Sequence, residues 1–163
     1  MALVYLSFGS NLGDRQLNIE RAVSLIREKG IITETVSPLY ETEPLHNPGQ
    51  PVFYNSCASA HTDLAPEECL KALKEAEKKL GRDMEAPRYT PRIIDIDLLY
   101  YDNIILKSGV LTVPHPQIRG RRFVLAPLSD IAPDFTDPES GMTIAESLKA
   151  CKASGYVKKL ENR

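Results

Sequence analysis

Pro91-Arg92-Ile93-Ile94-Asp95-Ile96-Asp97-Leu98-Leu99-Tyr100-Tyr101 is an apolar run carrying two aspartates at i and i+2. Read as a strand, it alternates its side chains between faces, so Asp95 and Asp97 share one side with β-carbons roughly 6–7 Å apart. Aspartate is disfavoured in strands and costly to desolvate, so two of them inside an Ile/Leu/Tyr run call for a reason. Two readings stand at this point. Either the pair binds a divalent cation with a phosphate, or the strand has one solvated face.

Working outward from this run, the preceding chain supplies the rest of a sheet. Residues 2–9 alternate β-forming side chains and stop at Gly9-Ser10-Asn11-Leu12-Gly13-Asp14, a strand followed by a turn. From Asp14 as N-cap, Ile19, Ala22, Val23 and Ile26 recur at helical spacing, and Gly30 stands where a helix ends. Ile31 to Thr42 reads as one long, irregular second strand interrupted by Pro38. A proline-stiffened loop spans 43–51. The third strand, Val52 to about Thr62, puts Phe53, Asn55 and Cys57 on one face. Pro66 opens a second helix running to Leu80, with Leu70, Leu73, Glu77 and Leu80 along one stripe, so Glu77 lies where an apolar residue is expected.

A second long loop, 82–92, contains Arg82, Arg88 and Arg92 and leads into the opening strand. After it, Ile104–Leu106 and Val110–Thr112 suggest a small hairpin. Val113-Pro114-His115-Pro116 is irregular, Arg119-Gly120-Arg121-Arg122-Phe123 leads into apolar Val124–Leu128, and the tail is weakly amphipathic near Ile144–Leu148. The order β-α-β-β-α-β predicts an α+β, ferredoxin-like antiparallel sheet with helices packed on one face, the first and third strands central, and a C-terminal extension left over.

With 163 residues and 42% hydrophobic side chains, a single domain over 1–163 is expected, large enough to bury its own core. Apolar Met1-Ala2-Leu3-Val4-Tyr5-Leu6 lacks a basic flank and reads as a first strand and not as a signal peptide, and no run approaches membrane-spanning length. Cys57, Cys69 and Cys151 lack metal-ligand spacing and read as reduced packing residues of a cytoplasmic protein. A net charge of −2 gives no basic field for a dedicated nucleic-acid binder, so any anion site is local.

That local site has candidates. Asp95 and Asp97 suit two Mg²⁺ ions on a polyphosphate, and the arginines flanking them on both sides, including Arg121 and Arg122, suit its phosphates. His115, stiffened by two prolines, either touches a nucleotide or caps a turn. No Walker-type loop is present, because Gly9–Asp14 lacks the lysine. Phe53, Asn55 and Phe123 either form a slot in which a flat heterocycle stacks while the amide reads its edge, or are ordinary core side chains.

Six segments together resemble one family: Gly9-Ser10-Asn11-Leu12-Gly13-Asp14, Ser37 to Leu45, Gln50 to Asn55, Pro91 to Leu99, Thr112-Val113-Pro114-His115-Pro116, and Arg121 to Leu128. They are similar to the 6-hydroxymethyl-7,8-dihydropterin pyrophosphokinases of folate biosynthesis, over residues 3 to about 135. The resemblance implies transfer of pyrophosphate from ATP to the hydroxymethyl oxygen of 6-hydroxymethyl-7,8-dihydropterin, releasing AMP. It further implies that Asp95 and Asp97 hold both Mg²⁺ ions and that Arg82, Arg92 and Arg121 stabilise phosphate charge, with Asp97 a candidate base. Glu77, Leu98, Thr112 and His115 would contact ATP as well. Thr42, Pro44, Leu45, Phe53, Asn55, Tyr89 and Phe123 would form the pterin pocket, Tyr89 in place of the usual tryptophan. Loops 43–51 and 82–92 would close over the substrates.

Three positions depart from the pattern: Met84 where a second loop arginine is frequent, Val110 where a basic residue is frequent, and Thr90 in place of glycine. Arg88 is available to replace the missing loop charge. A monomer is expected, with no nucleic acid or membrane partner. The competing reading from another class is a ferredoxin-like RNA-binding module, which would need paired aromatic stacking motifs on a basic face.

Overall fold

The computed structural model describes residues 1–45 and 49–161. Its elements run β1 (Ala2–Ser10), α1 (Arg15–Glu28), β2 (Ile31–Val36), β3 (Tyr40–Thr42), β4 (Phe53–Thr62), α2 (Pro66–Lys79) and β5 (Asp95–Tyr101). A short ribbon of β6 (Leu106–Lys107) and β7 (Thr112–Val113) follows, then α3 (Arg122–Ile131), α4 (Ile144–Ala150) and β8 (Val157–Lys159). Among the described residues this is a mixed fold of four helices around an antiparallel sheet ordered β5-β1-β4-β3-β8, with β2 pairing to the far part of β4.

The helix ends follow from local chemistry. Asp14 accepts from the Leu17 N–H at 3.1 Å and caps α1. Pro66 occupies the first turn of α2, and the Glu68 carboxylate accepts from the Ala65 N–H at 3.0 Å. Gly30 and Gly81, at φ +92° and +99°, turn the chain out of α1 and α2 in a conformation that other residues resist.

Four expectations require correction. The long strand over 31–42 is two strands: Pro38 has no N–H for the ladder, and Ser37 bonds across to β4, its N–H to the Cys57 carbonyl (2.8 Å) and its Oγ accepting from the Cys57 N–H (2.9 Å). The strand read over 91–101 begins at Asp95, because Arg92 is instead held by Asn11, whose Oδ1 accepts from the Arg92 N–H at 2.8 Å. The hairpin strands lie one to two residues later than expected.

The largest difference concerns the layers. Helices α1 and α2 cover one sheet face, enclosing Val4, Leu6, Phe8, Ile96 and Leu98. Residues 122–131, expected only as an apolar stretch, form α3, which with α4 covers part of the other face. There Val124, Leu125, Leu128 and Ile144 pack against Tyr5, Cys57, Leu99 and Tyr100. The C-terminal third is thus a second wall of the core and not an appendage. All three cysteines are buried and unpaired.

This second layer is incomplete, and the gap is where the site lies. Register pairs Ser7 with Asp97 and Gly9 with Asp95 on one side of β1, and Ser7 with Cys57 and Gly9 with Asn55 on the other. Asp95, Asp97, Ser7, Gly9, Asn55 and Phe53 therefore share the face that α3 covers only farther along.

Candidate active site

One cleft over this uncovered face is lined by Ser7, Gly9, Thr42, Leu45, Phe53, Asn55, Tyr89, Arg92, Asp95, Asp97, Arg121 and Phe123, among others. Ten of the residues singled out from sequence therefore meet in one place, drawn from β3, β4, β5, both long loops and the start of α3. Pro44 lines an adjoining cleft with Phe123. Of loop 43–51, residues 46–48 lie outside the described residues.

The carboxylates are held unequally. Asp95 receives Arg82 at 2.8 Å and Arg92 at 3.2 Å. Burial opposes its ionisation, but those two arginines prevail and hold its carboxyl below the usual range. Asp97 has no such partner. Burial and then the neighbouring Asp95 charge push it up to about 7. Two carboxylates left to share one site behave in this way, and a divalent cation between them would reverse it. Among the described residues no group of three or more His, Cys, Asp or Glu is placed to hold a metal alone. Two carboxylates are the donor set that suits Mg²⁺, which is usually held by one or two carboxylates and completes its shell with water and substrate phosphates.

Behind β5, Glu77 is fully buried, as its place on the apolar stripe of α2 required. Its Oε2 accepts from the Ile96 N–H at 2.7 Å and from Arg82 at 2.6 Å, and Lys74 lies 3.3 Å from Oε1. Burial raises the Glu77 carboxyl against the pull of Lys74. Glu77 thus ties α2, loop 82–92 and β5 into one charged cluster. Leu98 is only 3% exposed and packs in the core, so a ligand can meet its backbone but not its side chain. Thr112 sits on β7, and the His115 N–H donates to the Leu99 carbonyl at 2.9 Å, placing the imidazole beside β5. Burial and the Arg121 charge push His115 down to about 4, so it is neutral near pH 7. Arg121 itself is hydrogen-bonded to Gln117.

The opposite end of the cleft is an aromatic and amide slot. Asn55 Nδ2 donates to Thr42 Oγ1 at 2.5 Å, which fixes the amide and leaves Oδ1 over Gly9. A β-carbon on Gly9 would stand 2.9 Å from that Oδ1 and 3.7 Å from the Phe53 ring, so glycine is what lets the amide lie flat against β1.

Sequence reasoning missed the residue that joins the two loops. Asn11, 1% exposed, donates to Gln50 Oε1 (2.8 Å) and the Pro51 carbonyl (3.0 Å), while its backbone N–H donates to the Arg92 carbonyl (3.1 Å). Gln50 in turn donates to the Tyr89 carbonyl at 3.2 Å. Gly9-Ser10-Asn11 reads from sequence as the end of a strand, a segment of the family pattern and a loop without a phosphate-binding lysine, and nothing local in it points to Gln50, Pro51 or Arg92.

Residues 5–133 match the model of the 7,8-dihydro-6-hydroxymethylpterin-pyrophosphokinase family. The chain belongs to that family. A Bacillus subtilis 2-amino-4-hydroxy-6-hydroxymethyldihydropteridine pyrophosphokinase is 38% identical over 157 residues, covering 95% of this chain and 93% of its own length. A Pisum sativum mitochondrial folate synthesis bifunctional protein is 44% identical over 137 residues, 84% of this chain and 26% of that protein. The chain therefore spans about a quarter of the bifunctional relative and nearly all of the bacterial pyrophosphokinase. A crystal structure of Plasmodium falciparum HPPK-DHPS aligns with a TM-score of 0.70 at 17% identity, over 91% of this chain and 44% of that one, and so shares the fold. Nothing in these relationships supports an RNA-binding module, and no helix among the described residues is long and apolar enough to cross a membrane.

Proposed function

We propose that this pterin-pyrophosphokinase family member transfers the terminal pyrophosphoryl group of ATP to the hydroxymethyl oxygen of 6-hydroxymethyl-7,8-dihydropterin, giving the pterin pyrophosphate and AMP. The observation that carries the reading is the continuity of one cleft, from the Phe53/Asn55/Phe123 slot at one end to Asp95, Asp97, Arg92 and Arg121 at the other. A flat heterocycle with ring N–H and amino donors suits an amide oxygen presented beside two phenyl rings. Its exocyclic hydroxyl then faces the carboxylates and arginines.

Asp95 and Asp97 would hold two Mg²⁺ ions, which neutralise triphosphate charge and polarise the β-phosphorus. Arg82, Arg92 and Arg121 would bind the phosphates through forked N–H donors, with charge that no working pH removes. His115, held neutral, would act on ATP as a hydrogen-bonding group rather than a cation, alongside Glu77, Thr112 and the Leu98 backbone. Thr42, Pro44, Leu45 and Tyr89 would complete the pterin wall. Asp97 is the carboxylate nearest in character to a base for the hydroxymethyl proton, since it lacks an arginine partner. Phosphorus NMR of ATP, Mg²⁺ and the reduced pterin tests the reading: AMP and a pterin diphosphate are expected, and ADP, or no turnover, would reject it.

The same reading makes residues 1–163 one catalytic domain on a ferredoxin-like framework, acting as a cytoplasmic monomer without nucleic-acid or membrane partners. The strand order supports the framework, because β1 and β4 lie inside the sheet and β5 and β3 flank them.

A further inference from the structure

We infer that residues 151–160 form a strap that joins the two walls of the heterocycle slot and positions them for the pterin, an inference resting on the function proposed above. The first wall is β3, a three-residue strand that carries Thr42, the partner of Asn55. So short an edge strand is weakly held by itself. Its outer edge is covered by β8, with Tyr40 opposite Lys159, Glu41 opposite Lys158 and Thr42 opposite Val157.

The pairing continues past both ends of the strand. The Glu43 N–H donates to the Tyr156 carbonyl at 3.3 Å and the Leu160 N–H to the Leu39 carbonyl at 2.9 Å. Thr42 is thus flanked by Phe53 of β4 on one side and by the strap on the other.

The second wall is the start of α3, where Phe123 stands. Its neighbour Arg122 donates to the Cys151 carbonyl at 2.7 Å. Farther along, Lys159 reaches Asp130 of α3 at 3.1 Å, and the Tyr40 hydroxyl donates to the same carboxylate at 2.5 Å. Between these anchors the chain turns at Gly155, φ +91°, beneath Glu43, where a β-carbon would stand 2.9 Å from Glu43 Oε2. Glu43 can swing away; a β-branched residue at that φ cannot relax. The cleft beneath the slot is lined by both walls and the strap: Thr42, Leu45, Arg122, Phe123, Gly155 and Val157 among others. The strap's hydrogen bonds named above go to β3, the residues flanking it, and α3, so its effect is expected at the pterin end.

The test is Gly155→Val in the full chain, with Gly155→Asn as the conservative variant, because asparagine tolerates positive φ. Steady-state constants for both substrates are measured, and the reduced pterin is titrated calorimetrically in the presence of a non-hydrolysable ATP analogue. Gly155→Val is expected to raise the pterin KM and Kd about tenfold while the ATP KM stays within about twofold, with Gly155→Asn in between. Equal change in both KM values, or in neither, overturns the strap. Lys159→Ala, at a side chain 53% exposed, removes the Asp130 anchor and the Nζ contact over the Tyr40 ring, both of them ties of the strap, so it tests the idea even if Gly155→Val does not fold. A smaller rise in pterin Kd is expected there, and no rise overturns the proposal. Wild-type protein that binds pterin but forms no AMP would overturn the proposed activity, while the calorimetric comparison would still decide the strap.

Discussion

Arg82 Nη1 lies 2.8 Å from Asp95 Oδ1, so a proposed phosphate ligand and a proposed metal ligand neutralise each other. A triphosphate bridged by cations would have to draw them apart, the arginine going to phosphate and the carboxylate to metal. Loop 82–92 contributes Arg82 and Arg92, and both are bonded to Asp95. On the proposed function, loading the carboxylates with metal would therefore require this loop to move.

Replacing Arg82 separates its two tasks. Arg82→Ala should lower kcat by about a hundredfold or more, the scale for losing a charge-stabilising donor in a transition state. The pterin KM should change by no more than about threefold. Because Glu77 would lose its 2.6 Å partner while fully buried, the fold should also lose about 2–3 kcal/mol in urea unfolding. A variant with normal turnover would remove Arg82 from the phosphate site.

The carboxylate pair sets function against stability. Asp95→Asn and Asp97→Asn should each abolish AMP formation and weaken Mn²⁺ binding in the presence of ATP, read by electron paramagnetic resonance. In metal-free protein the two should differ. Asp97→Asn removes a partly buried charge that repels Asp95 and should raise the melting temperature, whereas Asp95→Asn strips Arg82 and Arg92 of their partner and should lower it. The same sign in both would contradict the unequal environments described here.

Those environments mark where the sequence was legible. Period-two and helical spacing located β1, β4, β5, α1 and α2 to within a few residues, because each presents one apolar face to a common core. Asp95 and Asp97 were readable as carboxylates out of place in a strand, the arginines by their clustering in the segments on either side of that strand, and Phe53 and Asn55 by sharing one strand face. What stayed hidden depends on distant partners. Pro38 marked an interruption, but that Ser37 turns the break into a crossing bonded to β4 depends on Cys57 lying opposite. Asn11 is a loop tie only because Gln50 and Arg92 come to it. α3 carries Pro127 in its interior, a residue that argues against a helix, and burial of Val124, Leu125 and Leu128 on the second sheet face outweighs it.

His115 supplies a pH dependence whose sign follows from its direction of shift. Its folded value, about 4, lies below the ordinary 6.5, so the unfolded chain takes up the proton more readily. The contribution to stability is complete above pH 6.5 and is lost as pH falls toward 4. His115→Gln should flatten the acid limb of a pH–stability curve over that window, and nitrogen-15 NMR should find the imidazole neutral at pH 6. An imidazole protonated at pH 6 would refute the buried setting beside Arg121.

Gly9 offers the sharpest separation of the two substrate subsites. It stands between Asp95 and Asn55 in the sheet, yet only Asn55 crowds it, with Oδ1 2.9 Å from where a β-carbon would be. Gly9→Ala must therefore push the amide outward or break its 2.5 Å bond to Thr42. Either response misplaces the acceptor that would read the edge of the heterocycle, and leaves Asp95, Arg82 and Arg92 where they are. Loss of one well-placed hydrogen bond predicts a pterin Kd raised about tenfold to a hundredfold. The Kd of the nucleotide with Mg²⁺ should be unchanged. If nucleotide binding falls instead, the amide and the carboxylates do not divide the cleft between them.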